Sequence, residues 1–257
     1  MEEPLLELRN FSKTFGGLEA VSDLSLTVKQ GEIKALIGPN GAGKTTVFNL
    51  ISGLQRPDRG EKRFKGKPFN HLRAHEIARM GIARTFQNVL VFGNLTVLQN
   101  VMVGRHTRST GDFLRCGLGF SGIRRQERAI QEAASKILEL VGLEDKAGDL
   151  ADNLPFGEQK LLEVARAMAT EPELLMLDEP AAGLNEEETE GMAGIIRTIQ
   201  KTGITILLVE HDMSLVMNIS DDILVLNHGV KIAEGPPEEI QENSMVIEAY
   251  LGEEIDV

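Results

Sequence analysis

The sequence is poor in cysteine and contains no long apolar run. Its single cysteine, Cys116, excludes a disulfide framework within the 257-residue chain and is typical of proteins of the reducing cytosol. No apolar run approaches the roughly 18 residues that a membrane-spanning helix requires. We therefore expect any role at a membrane to depend on a partner.

Basic residues are scarce relative to acidic ones: 27 lysines and arginines stand against 39 aspartates and glutamates, which gives a net charge of −12. Because nucleic acids are bound through basic faces, this balance predicts that nucleic acid is not a partner. The N-terminal segment 1–4 is acidic rather than basic, so we expect no secretory signal and a cytoplasmic location.

A glycine-rich loop fits the phosphate-binding pattern G-x-x-x-x-G-K-[ST] at every defined position. Its residues, with the threonine that follows, are Gly38, Pro39, Asn40, Gly41, Ala42, Gly43, Lys44, Thr45 and Thr46. Segment 32–37 before the loop is a candidate buried strand. Segment 46–52 after it has apolar residues at helical spacing, so strand, loop and helix follow in the order that the pattern requires.

The residue types of this loop suit a nucleotide phosphate. Glycines allow backbone N–H groups to approach phosphate oxygens, and the positive end of the following helix points at the same place. Lys44 can reach the β- and γ-phosphates, while the Thr45 hydroxyl can ligate Mg²⁺. We therefore predict that the protein binds a nucleoside triphosphate.

Two acidic residues follow a second short apolar segment, 174–177, which we predict to be a central strand. Asp178 at its end can hold Mg²⁺ through water, opposite Thr45. Glu179 beside it can act as the general base toward the attacking water. In a chain that already carries a phosphate loop, this pair indicates nucleotide hydrolysis.

Three further residues are candidate site residues. Taken singly, each of them could equally have an ordinary structural role. His211 follows the predicted strand 204–209 and could contact the γ-phosphate or be merely structural. Gln87 ends the predicted strand over 82–87 and could be an ordinary exposed side chain. Phe15, in a predicted turn over 11–17, could stack on an adenine ring or pack in the core.

Six segments stand in the order found in ABC-transporter ATPases, which the chain resembles over essentially its whole length. They are the Walker A loop at 38–45, Gln87, a signature-like segment at 154–159, the Walker B stretch at 174–179, a D-loop segment at 182–185 and His211. The resemblance implies an α/β fold: a P-loop NTPase core with a mainly parallel central sheet, an N-terminal antiparallel β subdomain and an inserted α-helical subdomain. It implies one domain, with residues 1–87 and 160–257 in the core and β subdomain and residues 88–159 in the helical subdomain.

The resemblance also implies roles for individual residues, with ATP and Mg²⁺ as cofactors. The implied catalytic residues are Glu179, His211 and Gln87. The implied Mg²⁺ ligands are Thr45, Gln87 and Asp178. The nucleotide is held by the phosphate loop and Phe15. Two subunits are expected to face each other head to tail. Each ATP then lies between one phosphate loop and the other subunit's Phe156, Gly157 and Glu158.

A narrower likeness, to the ATPase of branched-chain amino acid importers, rests on segments 83–87, 176–185, 209–213 and 249–252 and on the long insertion after residue 106. It implies permease subunits in the membrane, a solute-binding protein, and a second ATPase subunit that is identical or related. The chain would lie on the inner face of the cell membrane. Urea or amide importers share much of this pattern, and a soluble ABC ATPase of an assembly system is the remaining alternative.

The signature-like segment departs from the usual Leu-Ser-Gly-Gly-Gln. Pro155 and Phe156 replace the serine and the first glycine, Glu158 stands where glutamine is usual, and Asn185 replaces the D-loop aspartate. Pro155 offers a phosphate neither a hydroxyl nor an N–H group. Glu158 adds a negative charge there unless a cation compensates. We expect ATP-driven dimer closure with reduced affinity across the interface.

The helical segment 88–159 contains a group of arginines in an otherwise acidic protein. Its members include Arg105, Arg108, Arg115, Arg124 and Arg125. They form either a solvated helix face or a surface for anionic lipid headgroups or acidic loops of a partner.

Overall fold

The computed structural model describes residues 3–87, 89–106 and 120–251. The insertion predicted after residue 106 lies largely outside these ranges, as do the last residues of the chain. Of the five arginines named above, only Arg105 has a side chain among those described, and it pairs with Glu171 at 2.8 Å.

The strands of the described chain are β1 (Leu6–Phe15), β2 (Leu18–Val28), β3 (Ile33–Ile37), β4 (Arg59–Phe64), β5 (Lys67–Pro68), β6 (Ile82–Arg84), β7 (Leu174–Asp178), β8 (Thr205–Val209), β9 (Asp222–Asn227) and β10 (Val230–Gly235). The helices are α1 (Lys44–Ile51), α2 (Ala74–Arg79), α3 (Val97–His106), α4 (Phe120–Val141), α5 (Phe156–Met168), α6 (Glu186–Lys201), α7 (Met213–Ile219), α8 (Pro237–Gln241) and α9 (Ser244–Leu251).

An antiparallel sheet in the order β2-β1-β4-β5 forms the N-terminal part of the molecule. The turn predicted over residues 11–17 is wrong, because Phe11 to Phe15 continue β1 and Phe11 is fully buried. The reversal is confined to Gly16 and Gly17, whose φ angles of 52° and 92° suit a two-residue hairpin turn. The antiparallel subdomain itself was predicted correctly.

The second sheet has the order β10-β9-β3-β8-β7-β6, and its neighbouring strands are parallel except for the β9–β10 pair. Every residue of β3, β7 and β8 is buried, as expected for central strands covered on both faces. The predicted α/β fold with a mainly parallel sheet is therefore confirmed.

The carboxyl ends of the parallel strands bring distant segments of the chain to one edge of the sheet. Gly38 follows β3, Asp178 ends β7 with Glu179 next, and Glu210 and His211 follow β8. Ligands of open α/β sheets bind at this edge. The strand order thus places the predicted site residues where a ligand can meet them.

Two helix predictions differ from the structure in the C-terminal part. The sequence pattern of residues 236–251 predicts one helix, whereas the structure has two, α8 and α9, because Asn243 interrupts the segment and accepts the N–H of Met245 at 3.0 Å. Helix α7 was not predicted; Asp212 caps it by accepting the N–H of Leu215 at 3.1 Å. Both misses come from short helices, whose periodicity is weak.

Helix α5 lies between the helical region and the central sheet. Its Leu162 and Ala165 belong to the core formed with α3 and α4, whereas Val164 and Met168 pack with residues of the central strands. The division at residues 88 and 159 into core and helical subdomain remains a prediction.

Lys62 holds the end of the helix that begins at the phosphate loop. It is buried, and its ammonium donates hydrogen bonds to the carbonyls of Leu50 (2.7 Å) and Ile51 (3.2 Å), the last residues of α1. The ammonium also lies 4.6 Å from the centre of the Phe69 ring. Burial lowers the pKa of Lys62 to about 8, which makes folding sensitive to pH.

We expect Lys62→Met to remove part of the pH dependence of stability. The folded-state pKa of about 8 lies below the ordinary 10.5, so between these values the unfolded chain binds more protons and wild-type stability rises with pH. From about pH 8 to about pH 10 the free energy of unfolding of the wild type should gain roughly 1–2 kcal/mol relative to the variant. Chemical denaturation at several pH values measures this, with the exposed Lys67→Met as control; a pH-independent difference would contradict the prediction.

Candidate functional site

The glycine-rich loop runs from the end of β3 to the start of α1. Gly38, Gly41 and Gly43 have φ angles of 149°, 75° and 104°, which side-chain-bearing residues rarely adopt. A Cβ at Gly38 would lie 2.0 Å from the carbonyl oxygen of Leu226, and one at Gly43 would lie 2.4 Å from that of Ala20. Backbone packing on both sides therefore determines the path of the loop.

The open side of the loop carries residues predicted to bind phosphate. Asn40, Gly41 and Thr45 are exposed, whereas Lys44 is buried. The Lys44 ammonium donates hydrogen bonds to the carbonyls of Gly38 and Pro39, the latter at 2.8 Å. Its positive charge is thus held at the loop, where a phosphate would need it.

The three predicted catalytic side chains lie together. Glu179 accepts a hydrogen bond from the Gln87 amide through Oε2 at 2.9 Å, and its Oε1 lies 2.6 Å from Nε2 of His211. Glu179 is only 8% exposed, while the His211 side chain is 44% exposed. Both carboxylate oxygens are therefore oriented by neighbours, and the imidazole side of the cluster faces solvent.

The backbone of Glu179 is held in an unusual conformation. Its φ of 51° lies in the left-handed region, which costs a non-glycine residue roughly 1–2 kcal/mol. Its N–H donates to the Val209 carbonyl at 2.8 Å, and its own carbonyl accepts from the buried Lys160 ammonium at 2.8 Å. Burial lowers the pKa of Lys160. Lys160 was not among the predicted site residues, because it stands in α5, far from Glu179 in the chain.

Glu210 positions the chain around His211. It is buried, and its carboxylate accepts the N–H groups of Ala181 at 2.7 Å and His211 at 2.9 Å. Burial raises the pKa of Glu210, although these hydrogen bonds oppose the shift. This role was not predicted from the sequence; the signal available was an acidic residue directly between a buried strand and the histidine.

Asp178 is engaged by an arginine that was not among the predicted site residues. Oδ2 of Asp178 lies 2.7 Å from a terminal guanidinium nitrogen of Arg84, and the N–H of Asp178 donates to the Thr85 hydroxyl at 3.2 Å. Both members of the ion pair are buried. The sequence feature that could have indicated this role was a charged residue within the otherwise apolar strand β6.

The residues predicted at Mg²⁺ fit such an ion in chemical type. Thr45, Gln87 and Asp178 offer hydroxyl, amide and carboxylate oxygens, and Mg²⁺ prefers oxygen ligands. Among the described residues, no group of three or more His, Cys, Asp or Glu could hold a metal by itself. In nucleotide-hydrolysing proteins, Mg²⁺ is usually held by one or two protein ligands together with phosphates and water.

The signature-like segment begins α5 and carries a compensated charge. Phe156 is half exposed, and its ring packs against Gly183 of the D-loop segment. Oε1 of Glu158 accepts from the ammonium of Lys146. This ion pair supplies the compensating cation on which the effect of Glu158 was expected to depend.

The D-loop asparagine caps the helix that follows it. Asn185 accepts the N–H of Glu188 through its side chain at 2.9 Å, and its own N–H donates to the Glu188 carboxylate at 2.9 Å. This reciprocal pair is a capping box. The departure from aspartate therefore leaves the start of α6 well ordered.

Phe15 stands at the exposed end of β1. It is 43% exposed, so the alternative of a core residue is excluded. The Lys13 ammonium lies 5.3 Å from its ring centre and pairs with Asp58 at 2.8 Å. The ring therefore offers an accessible aromatic surface, as stacking requires.

An apolar groove of about 630 Å³ opens between α2, β6 and α5. Its walls include Leu54, Ile77, Phe86, Leu90, Phe92 and Val103. Four of these side chains are exposed even though they are large and apolar. Glu163, also in the wall, accepts the N–H of Phe86 at 3.1 Å, and burial raises its pKa.

Comparison with known proteins identifies the family. The family model for ABC transporters matches residues 21–182. The chain is 45% identical over 254 residues to the high-affinity branched-chain amino acid transport ATP-binding protein BraF of Pseudomonas aeruginosa, covering 98% of this chain and 100% of that protein. The chain belongs to the ABC transporter family. Residues 230–256 of this ABC protein also match the family model for branched-chain amino acid ATP-binding cassette transporters.

Further relatives of this ABC protein agree in sequence and in structure. It is 46% identical over 261 residues to the high-affinity branched-chain amino acid transport ATP-binding protein LivG of Escherichia coli, with 98% of this chain and 100% of that protein covered. A crystal structure of the ADP conformation of an ATP-binding cassette of an ABC transporter superposes with a TM-score of 0.84 at 30% identity, covering 98% and 100% of the two chains. The protein therefore binds ATP and is an ATPase.

Proposed function

We propose that this chain is the ATP-hydrolysing motor subunit of an importer for branched-chain or other hydrophobic amino acids. The observation that carries the proposal is the Glu179 carboxylate held between Gln87 and His211 at the sheet edge that also bears the phosphate loop. The names of the relatives and the C-terminal family match support the solute class. They do not favour a urea or amide importer or a soluble assembly ATPase.

In the proposed reaction, Glu179 takes a proton from the water that attacks the γ-phosphate. His211, 2.6 Å from Oε1, orients the carboxylate and meets the phosphate from the solvent side. Lys44 and the N–H groups of the loop hold the phosphates. Mg²⁺, when bound by Thr45, Asp178 and Gln87, supplies neutralisation of phosphate charge.

The nucleotide is proposed to lie between two subunits. Phe15 stacks on the adenine, and Phe156, Gly157 and Glu158 of the second subunit face the phosphates. The start of α5 contributes its N–H groups and helix dipole. The Lys146–Glu158 pair keeps this surface from presenting an uncompensated negative charge to ATP.

We expect Lys146→Met to weaken ATP-dependent dimerisation about tenfold, because Glu158 would then repel the nucleotide phosphates. The double variant Lys146→Met/Glu158→Gln should restore wild-type dimerisation, since neither charge remains. Sedimentation of a hydrolysis-deficient form with ATP measures both. Equal dimerisation of wild type and Lys146→Met would contradict this role.

The groove is proposed as the docking site of a permease segment with an apolar face. Exposed Leu54, Leu90 and Phe92 would bury their side chains there. Phe86 and Arg84 line the same groove, close in sequence to Gln87. A docked segment would therefore touch residues 84–87. Within this stretch, the Gln87 side chain contacts Glu179 and the Arg84 side chain contacts Asp178.

The proposed association with the membrane depends on the permease partner. No helix among the described residues is long and apolar enough to cross a membrane. We propose that the chain lies on the inner face of the cell membrane, bound to permease subunits, with a solute-binding protein in the complete assembly. The second ATPase subunit is a copy of this chain or a related one.

Co-purification from the native membrane tests the function. Glu179→Gln protein with ATP should recover multi-span permeases and the associated binding protein, which names the solute. Leu90→Asp in the same background should lose the permeases while still binding ATP. Met245→Asp, an equally exposed apolar position on α9, serves as control and should retain them. Recovery of soluble partners alone would count against an importer.

A further inference from the structure

The buried ion pair between Arg84 and Asp178 joins the groove to the proposed Mg²⁺ site. The two side chains are 7% and 4% exposed, and the nitrogen–oxygen distance is 2.7 Å. The other terminal nitrogen of Arg84 donates to Asn49 at 2.8 Å and to Ser52 at 3.1 Å, both on or just after α1. The guanidinium thus ties β6, β7 and the helix of the phosphate loop together.

Packing keeps this guanidinium in place. Its central carbon lies 5.4 Å from the centre of the Phe48 ring and 5.4 Å from that of Phe86. Stacking of this kind suits the flat guanidinium better than a lysine ammonium. The side chain is therefore a fixed positive charge beside Asp178, rather than one that swings out into solvent.

A fixed cation beside a carboxylate changes what that carboxylate can bind. Asp178 already has its charge balanced, so a divalent cation approaching it meets repulsion from Arg84 in a water-poor setting where charges interact strongly. Without Arg84, the buried carboxylate would be uncompensated and would favour any cation that reaches it. The ion pair therefore opposes metal binding at this place.

We propose that Arg84 is a positioning residue that holds Asp178 and lowers the affinity of the site for a divalent cation. The inference rests on the proposed role of Asp178 at Mg²⁺. Its consequence is that the metal binds together with the nucleotide, whose phosphates bring the missing negative charge. Metal without nucleotide is disfavoured.

The test measures metal affinity directly, without turnover. Mn²⁺ is titrated into full-length protein loaded with ADP, with protein in excess over nucleotide, and the free ion is followed by electron paramagnetic resonance. Arg84→Gln keeps a donor for Asp178 and loses the charge; it should bind Mn²⁺ at least tenfold more tightly than wild type. It should also show measurable Mn²⁺ binding without ADP.

Two control variants separate charge from structure. Arg84→Lys keeps a positive charge and should bind Mn²⁺ within about threefold of wild type, because repulsion depends on charge. Asn49→Ala removes one hydrogen bond of the guanidinium and keeps the ion pair, so it should also resemble wild type. Thermal unfolding of Arg84→Gln and Arg84→Met should show a larger stabilisation by Mg²⁺ with ADP than the wild type shows.

Each result of these experiments either supports or overturns the proposed role of Arg84. Folded Arg84→Gln that binds Mn²⁺ no more tightly than wild type would overturn the proposal, and so would Arg84→Lys behaving like Arg84→Gln. If Arg84→Met does not fold, the Gln and Lys pair still gives the comparison. Failure of the wild type to bind ADP would overturn the proposed function itself, and this inference with it.

Discussion

Glu179→Gln should lower the rate of ATP hydrolysis by about 10²–10⁴-fold, the usual contribution of a general base, while ATP binding persists. The amide occupies the space of the carboxylate and can still meet Gln87 and His211, which lie 2.9 and 2.6 Å from the two oxygens of the wild-type carboxylate. It cannot accept the proton of water. Phosphate release measures turnover, and fluorescence titration with a labelled nucleotide measures binding.

The matched control for this prediction is Glu187→Gln, an exposed acidic residue in the first turn of α6. It removes the same charge without touching the cluster and should retain turnover. If Glu179→Gln kept more than a tenth of wild-type turnover, Glu179 would not be the base. Loss of nucleotide binding in the variant would instead indicate that the substitution disturbs the loop.

Gly38→Ala should be far more damaging than Gly41→Ala, although both glycines belong to the same motif and both have positive φ. A Cβ at Gly38 would lie 2.0 Å from the Leu226 carbonyl oxygen, so β9 or the loop must move. Strain and overpacking together should cost about 3 kcal/mol or more of unfolding free energy. A Cβ at Gly41 meets no atom within 4 Å, so only the backbone cost of about 1–2 kcal/mol applies.

Urea denaturation of the two variants measures this difference, and nucleotide titration should show the same ranking. Gly38→Ala displaces the start of the loop from its place on β9, so we expect its ATP affinity to fall at least tenfold. Gly41→Ala should remain within a few-fold of wild type. Equal destabilisation of the two variants would show that the contact with Leu226 yields easily.

Local sequence patterns predicted the parts of the site that lie next to each other in the chain. The phosphate loop stands between a buried strand and a helix, and the local residue patterns of segments 32–37 and 46–52 predicted both. Asp178 and Glu179 were found because they follow an uninterrupted apolar strand. The turn over 11–17 was predicted wrongly for the complementary reason: Phe11 is buried by contacts with a distant part of the core, which no local pattern reports.

The sequence by itself determined the phosphate loop and the acidic pair, since each depends on residues adjacent in the chain. It determined the fold class through the resemblance of its six ordered motifs to ABC-transporter ATPases. Only the tertiary structure decided which charges meet. Arg84 reaches Asp178 across 94 residues, and Lys160 holds the carbonyl of Glu179. Such contacts depend on strand order and helix packing, because the end of one strand meets the end of another only once the sheet has formed.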